Sequence, residues 1–286
     1  MSNSQLTLQL LDETEIKEIQ DKANQALGQF RKTSQIMRED IFNILEINSK
    51  VLYYPYNDNE ICAFIVRRRD KFFTFINTNI PLEKQIFAAA HELYHLWYSK
   101  IEKWELLHSI IVDNQIENTG RLNKEEAKAN RFAAEFLVPK NLLMNELDSR
   151  KQKKGKVEIK DIIGLMDVFL MPYKTIVRRL REIEFISEKQ CNEFLAIPDR
   201  DENNGVMLWQ KRLGLCARNN EKTMRKKLGN LIDMSLEAYE QESITFDKLA
   251  YILSLAQQNP EQYNIHTKIE ILPSEEEVLK MLEEED

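Results

Sequence analysis

IPLEKQIFAAAHELYHLWY, residues 80–98, is the stretch on which the fold turns. Pro81 suits the opening of a helix, where its missing N–H would have no intrahelical partner. Ile86, Ala90, Leu93 and Trp97 then recur at i, i+4, i+7 and i+11, the apolar face of a helix predicted to run to about Leu107. In its middle stand His91, Glu92 and His95, an HExxH pentapeptide. Histidines four apart differ by about 40° of rotation and one turn of rise, so both rings can reach one ion. Neutral imidazole is a good zinc ligand. Glu92 points about a third of a turn away from His91, free to act as a general base on water beside the metal. With 4 histidines and 33 glutamates in 286 residues, chance supplies such a pentapeptide about once in 150 chains of this composition.

A catalytic zinc site takes three protein ligands and leaves one position open. The extended form HExxHxxGxxH is absent, since Tyr98 stands at its glycine and Ile101 at its third histidine. The third ligand must therefore come from another element. A second helix is predicted from Lys124 to Val138, where Ala127, Ala129, Ala133 and Ala134 permit close approach to a neighbour. Glu126 on it also fits a capping box with Asn123. On spacing alone Glu126, Glu125, His108 and other groups remain open as the third ligand.

These two stretches resemble the ImmA/IrrE family of bacterial zinc metalloendopeptidases. The family pairs an apolar HExxH helix with a helix reading E-x-x-A-N-x-F-A-x-x-L-L-x-P, matched here by Glu126 to Pro139 with Phe136 and Val138 as the departures. The resemblance covers about residues 45 to 190 and implies Glu126 as the third zinc ligand. It also implies an intracellular endopeptidase that cleaves a helix-turn-helix repressor, releasing genes of mobile elements or stress responses.

Outward from the motif, the chain upstream is helical over residues 5–48, with Ile16, Ile19 and Ala23 on one stripe and Ile36, Ile41 and Ile44 on another. Val51–Tyr54, Ile61–Arg67 and Lys71–Asn77 are rich in β-branched and aromatic residues and predict a small antiparallel sheet. Lys71–Asn77, which leads directly into Pro81, is the expected sheet edge along which an extended substrate pairs. Downstream, RKQKKGK (150–156) reads as a solvated loop, and 157–190 contains a helix-turn-helix-like unit with a turn near Met171-Pro172 and Arg178, Arg179 and Arg181 after it. Packing, rather than DNA contact, is the job expected of that unit. IPDRDENNG (197–205) is the expected boundary between a peptidase domain, 1–196, and a helical C-terminal domain, 197–286. Within the latter, the basic stretch 211–227 reads as a solvated helix face, and 270–286 is an acidic tail.

Composition narrows the classes. Seven glycines and seven prolines leave no phosphate-binding loop and disfavour a β-sandwich. The longest apolar run, Ile61 to Val66, is far short of the ~20 residues that span a membrane. The opening residues lack a secretory signal pattern, and Cys62, Cys191 and Cys216 are too scattered for a disulfide framework or a CxxC site. The chain thus reads as a cytoplasmic α+β protein: a zincin-like metallopeptidase domain plus a helical C-terminal domain. His91, His95 and Glu126 are the expected zinc ligands and Glu92 the catalytic base. The alternative is a DNA- or partner-binding regulator with a structural or vestigial metal site, disfavoured because closed structural zinc sites are rich in cysteine.

Overall fold

Helix α1 (Glu13–Gln29) begins at a capping box between Asp12 and Glu15 and buries Ile19, Ala23, Ala26 and Leu27. It is followed by α2 (Asp40–Asn48), strands β1 (Lys50–Tyr54), β2 (Ala63–Arg68) and β3 (Lys71–Asn77), and helices α3 (Leu82–Tyr98) and α4 (Lys124–Leu137). Then come α5 (Lys140–Ser149), α6 (Ile159–Phe169), α7 (Tyr173–Glu182), α8 (Glu188–Leu195), α9 (Val206–Leu213), α10 (Leu231–Glu240) and α11 (Phe246–Leu255). This computed structural model describes residues 11–68, 71–99, 124–199, 201, 203–215 and 220–266. The fold class is α+β, as expected. His108, Asn123 and the acidic tail lie outside the described residues, as does the expected continuation of α3 to Leu107; the described helix stops at Tyr98, with Ser99 in extended conformation.

The sheet differs from expectation in two respects. Its order is β1-β3-β2, with β1 parallel to β3 and β2 antiparallel. Only Arg69 and Asp70 separate β2 from β3 in sequence, so those strands pair as a hairpin, and β1 adds to the other side of β3. The antiparallel reading assumed that consecutive strands are neighbours, which is only the commoner arrangement. Consequently β3 is the interior strand, paired along both sides, and the expectation that a substrate pairs with Lys71–Asn77 is overturned. Thr74, fully buried, faces Val51 of β1 and Ile65 of β2.

One face of the sheet, carrying Val51, Tyr53, Ala63, Ile65, Thr74 and Ile76, is buried. Helix α2 packs on β1, and α3 packs on β2 and β3. Behind α3 lies α4, which also contacts α1 and α7. A second correction concerns residues 221–227, expected on a solvated helix face. They form no helix and run antiparallel beside β1 and the loop after β3, bridging at Lys222 and Lys227. Tyr53 and Lys227 exchange both backbone hydrogen bonds, at 2.9 and 3.0 Å, while the Met224 N–H donates to the Thr78 carbonyl and the Leu82 N–H to that of Glu221. The last of these satisfies a first-turn donor of α3 that has no partner within the helix.

Contacts divide the chain into two compact units, Met1–Lys227 and Leu228–Asp286. The segment between 197 and 227, assigned on sequence to the C-terminal domain, thus falls in the first unit, where α9 packs on α6. In the second unit α10 packs on α11, with Leu249 and Leu253 buried. In the helix-turn-helix-like region, Leu170 takes a left-handed conformation at the end of α6 and Pro172 caps α7. Arg179 there is 1% exposed; it donates to the Val138 carbonyl and pairs with Glu135 at 2.7 Å. Arg178 is exposed, and Arg181 lies 3.7 Å from Glu188. No helix among the described residues is long and apolar enough to cross a membrane.

Candidate metal centre

The site arises where α3 lies against α4. Small residues let the backbones close up: Ala89, Ala90, Ala129 and Ala133 are fully buried. An aromatic seam then fixes their relative placement. Phe132 of α4 meets Tyr94 and Tyr98 of α3 at ring separations of 5.6 and 5.5 Å, and Trp97 stands edge-on to Phe136 at 6.2 Å. Offset and edge-on pairs of this kind add to area burial. Trp97 is held further by its indole N–H, which donates to Asn48 at 2.9 Å.

Between these contacts three donor groups converge. The Nε2 atoms of His91 and His95 are 3.0 Å apart, and Glu126 places Oε2 3.0 Å from His91 and Oε1 3.4 Å from His95. Ligand atoms of all three lie within 4.8 Å of one another, close enough to share one metal ion. Both histidines are buried, 1% and 2% exposed, and Glu126 is half-buried. The sequence had left Glu125 and His108 open beside Glu126. Glu125 is occupied with Lys128 at 3.0 Å, and His108 is outside the described residues.

Two side chains without an assigned role orient the rings. Asn130 presents Oδ1 to His91 Nδ1 at 2.9 Å, and Ser99 Oγ lies 2.9 Å from His95 Nδ1. An amide oxygen can only accept, so His91 carries its proton on Nδ1 and turns the Nε2 lone pair inward. Each partner stands four residues after a member of the triad, Asn130 after Glu126 on α4 and Ser99, at the C-cap of α3, after His95. That spacing was the signal by which the sequence could have revealed them.

The electrostatics fit a cation. Burial pushes the His95 imidazole below its ordinary value, against the pull of Glu126. Burial also acts to raise the Glu126 carboxyl, but hydrogen bonds and charge from His91 and His95 outweigh it and hold it well below the usual carboxylate range. A carboxylate and the inward lone pair of His91, with His95 Nε2 a hydrogen-bond length away, call for a proton or metal ion among them. Two imidazoles and one carboxylate are also the mixed N/O donor set of three-ligand zinc sites. Beside them Glu92 is wholly buried, and neither carboxylate oxygen has a hydrogen-bond partner among the described residues. Burial first, and then the charge of Glu126, raise its carboxyl well above the ordinary value. Native proteins seldom leave such a group unsatisfied, and those that do commonly sit at a site for a ligand or water.

An α+β unit whose adjacent helices carry HExxH and a glutamate, with all three donors facing inward, has the architecture of a metallopeptidase. Residues 46–181, just under half of the chain, match the family model of the IrrE N-terminal-like domain, Peptidase_M78. Over these residues the chain is similar to the ImmA/IrrE family, and the match supports a function of metallopeptidase type. No curated protein matches the chain.

Proposed function

We propose that the protein is an intracellular zinc-dependent endopeptidase that cleaves a helix-turn-helix repressor. The observation that carries the reading is the convergence of His91, His95 and Glu126 beside a buried Glu92 that has no hydrogen-bond partner among the described residues. In this reading His91, His95 and Glu126 hold zinc, Asn130 and Ser99 fix the two rings, and no cysteine is needed. Bound there, zinc supplies a Lewis acid that acidifies water and polarises a carbonyl. Glu92 takes a proton from the attacking water onto its carboxylate and delivers it to the departing amine.

An extended substrate needs a free strand edge. Residues 221–227 occupy the outer side of β1, and β3 is interior, so β2 is the strand left to accept it. The repressor assignment draws on the family resemblance alone, since the site's geometry supports hydrolysis without selecting a sequence. The test uses the purified chain with zinc and the helix-turn-helix protein encoded by an adjacent reading frame. Wild type should cut that protein at a defined bond. Glu92→Gln should bind zinc normally by elemental mass spectrometry and leave the substrate intact. Undiminished cleavage by Glu92→Gln, or a wild type that takes up no metal, would refute the reading.

A further inference from the structure

Strands alternate their side chains between two faces, and an antiparallel or mixed sheet with one solvated face normally makes that face polar. This sheet does not. Opposite the buried face, β1 presents Leu52 and Tyr54, β2 presents Phe64 and Val66, and β3 presents Phe73 and Phe75. The register sets them in rows, Leu52–Phe75–Phe64 and then Phe73–Val66. All six are half-buried. None is part of the hydrophobic core or among the half-buried side chains packed against it. The helices on the sheet, α2 and α3, cover the other face, where Phe42 meets Tyr53 and the core takes up Val51, Ala63 and Ile76.

The charges on the three strands have one sign. The three strands carry Lys50, Arg67, Arg68 and Lys71 and no acidic residue. Lys50 and Lys71 are exposed, lie on the apolar side by register, and form no ion pair among the described residues. Lys226 adds a third ammonium, 5.7 Å from the centre of the Tyr54 ring. Contiguous apolar surface of this kind marks an interaction site, and the lysines select a partner that brings negative charge.

We propose that this sheet face docks an amphipathic helix of another polypeptide, its apolar stripe on Leu52, Phe64, Phe73 and Phe75 and its acidic flanks toward Lys50, Lys71 and Lys226. The dimensions agree. Three strands about 4.8 Å apart make a face about as wide as one helix with its side chains. Five to seven residues per strand give it a length of about 17–23 Å, three to four helical turns. The aromatic rings favour this occupant over a single-stranded nucleic acid. Phe64 and Phe75 stack on each other at 4.8 Å and Tyr56 stands edge-on to Phe75 at 6.4 Å, so their π-faces are turned to one another rather than laid open for bases. The inference concerns the opposite side of the sheet from the metal centre and does not depend on peptidase activity.

The full chain tests it by fluorescence anisotropy with labelled synthetic probes of about 18 residues. One has leucines at helical spacing and glutamates elsewhere; a second permutes the same residues to break the stripe; a third replaces glutamate with lysine. Oligothymidylate serves as the nucleic-acid probe. The first peptide should bind at least about tenfold tighter than the second or third, because apolar stripe and charge are both required. Phe73→Ser, and separately Lys50→Glu with Lys71→Glu, should each weaken it by about tenfold or more. Hydrogen exchange should show protection confined to 50–54, 64–66 and 71–75. If Phe73→Ser does not fold, the surface charge pair and the exchange footprint still decide. Equal binding of the permuted peptide, binding that survives both variants, a footprint elsewhere, or binding of oligothymidylate alone would overturn the proposal. So would self-association of the chain abolished by Phe73→Ser, since the occupant would then be a second copy.

Discussion

Replacing Asn130 with alanine isolates what a side chain behind the metal centre contributes. In wild type the Asn130 oxygen, 2.9 Å from His91 Nδ1, holds the ring proton on that nitrogen and leaves Nε2 free. Without the acceptor, His91, 1% exposed, would bury an unsatisfied N–H, at a cost of about 1–3 kcal/mol. The metal-free protein has an escape: the proton moves to Nε2 and is donated to Glu126 Oε2, 3.0 Å away. That tautomer must be given up when a metal binds, so the cost falls on affinity rather than on the stability of the metal-free fold. At 1.4 kcal/mol per decade, zinc should bind about ten- to a hundredfold more weakly. Competition with a chromophoric chelator reads the affinity, and thermal melting of the metal-free form reads the fold. Asn130→Asp, which offers an acceptor of the same size, should hold affinity at or above wild type. Unchanged zinc affinity in Asn130→Ala, or a melting temperature that falls in step with it, would refute the tautomer argument.

Other consequences are as direct. Glu135→Ala removes one of the two carboxylates that pair with buried Arg179, leaving Glu182, and should cost about 1.5–3 kcal/mol, seen in denaturant titration as an earlier midpoint with unchanged slope. Burial acts to raise the Glu135 carboxyl, but Arg179 and Arg131 hold it below its ordinary value near 4.5. Its stabilising share is therefore present above about pH 4.5 and fades as pH falls through the lowered folded value, a decline that Glu135→Ala should lack in acid titrations of stability. Met224 sits at φ 49 with its N–H bonded to Thr78. Met224→Pro should undock residues 221–227 and speed exchange of the Tyr53 and Lys227 amides, whereas Met224→Gly should leave both protected. Chelation of the metal should abolish cleavage and, from a starting zinc concentration of about 100 times Kd, remove about 2.7 kcal/mol of stability. A melt unmoved by chelator would argue against a bound ion.

What the sequence made legible was local. The helical period around His91 and the small residues around Ala129 defined α3 and α4 because each face is set by residues a turn apart. The pairing order of three strands was not legible, since β1 carries no mark of whether it joins β2 or β3. The sequence distinguishes these choices only through the length of a connection, and the two residues between β2 and β3 favour the β2–β3 hairpin alone. Residues 221–227 were misread for a related reason. Their basic side chains are compatible with a helix, but their main-chain partners, Tyr53, Thr78 and Leu82, are distant in the chain. Arg179 shows the same limit from the other side: a charged residue in a helix-turn-helix-like pattern reads as surface until Glu135, on another helix, is found opposite it.

The metal centre was more legible than the sheet because a single interval is used three times. His91 and His95 share it on α3; Glu126 and Asn130 share it on α4; His95 and Ser99 share it again. The pairs on α3 and α4 are matched across the interface. One turn of rise along α4 separates the group that meets His91 at Nε2 from the group that meets it at Nδ1, so the two edges of one imidazole are gripped by a single helix face. Sliding α4 by one residue would rotate both groups away together. The buried aromatic seam of Tyr94, Trp97, Phe132 and Phe136 is what prevents that slide. The helical period places Trp97 on the apolar face of α3, and the packing of these rings is also what keeps Glu126 and Asn130 aligned with one histidine.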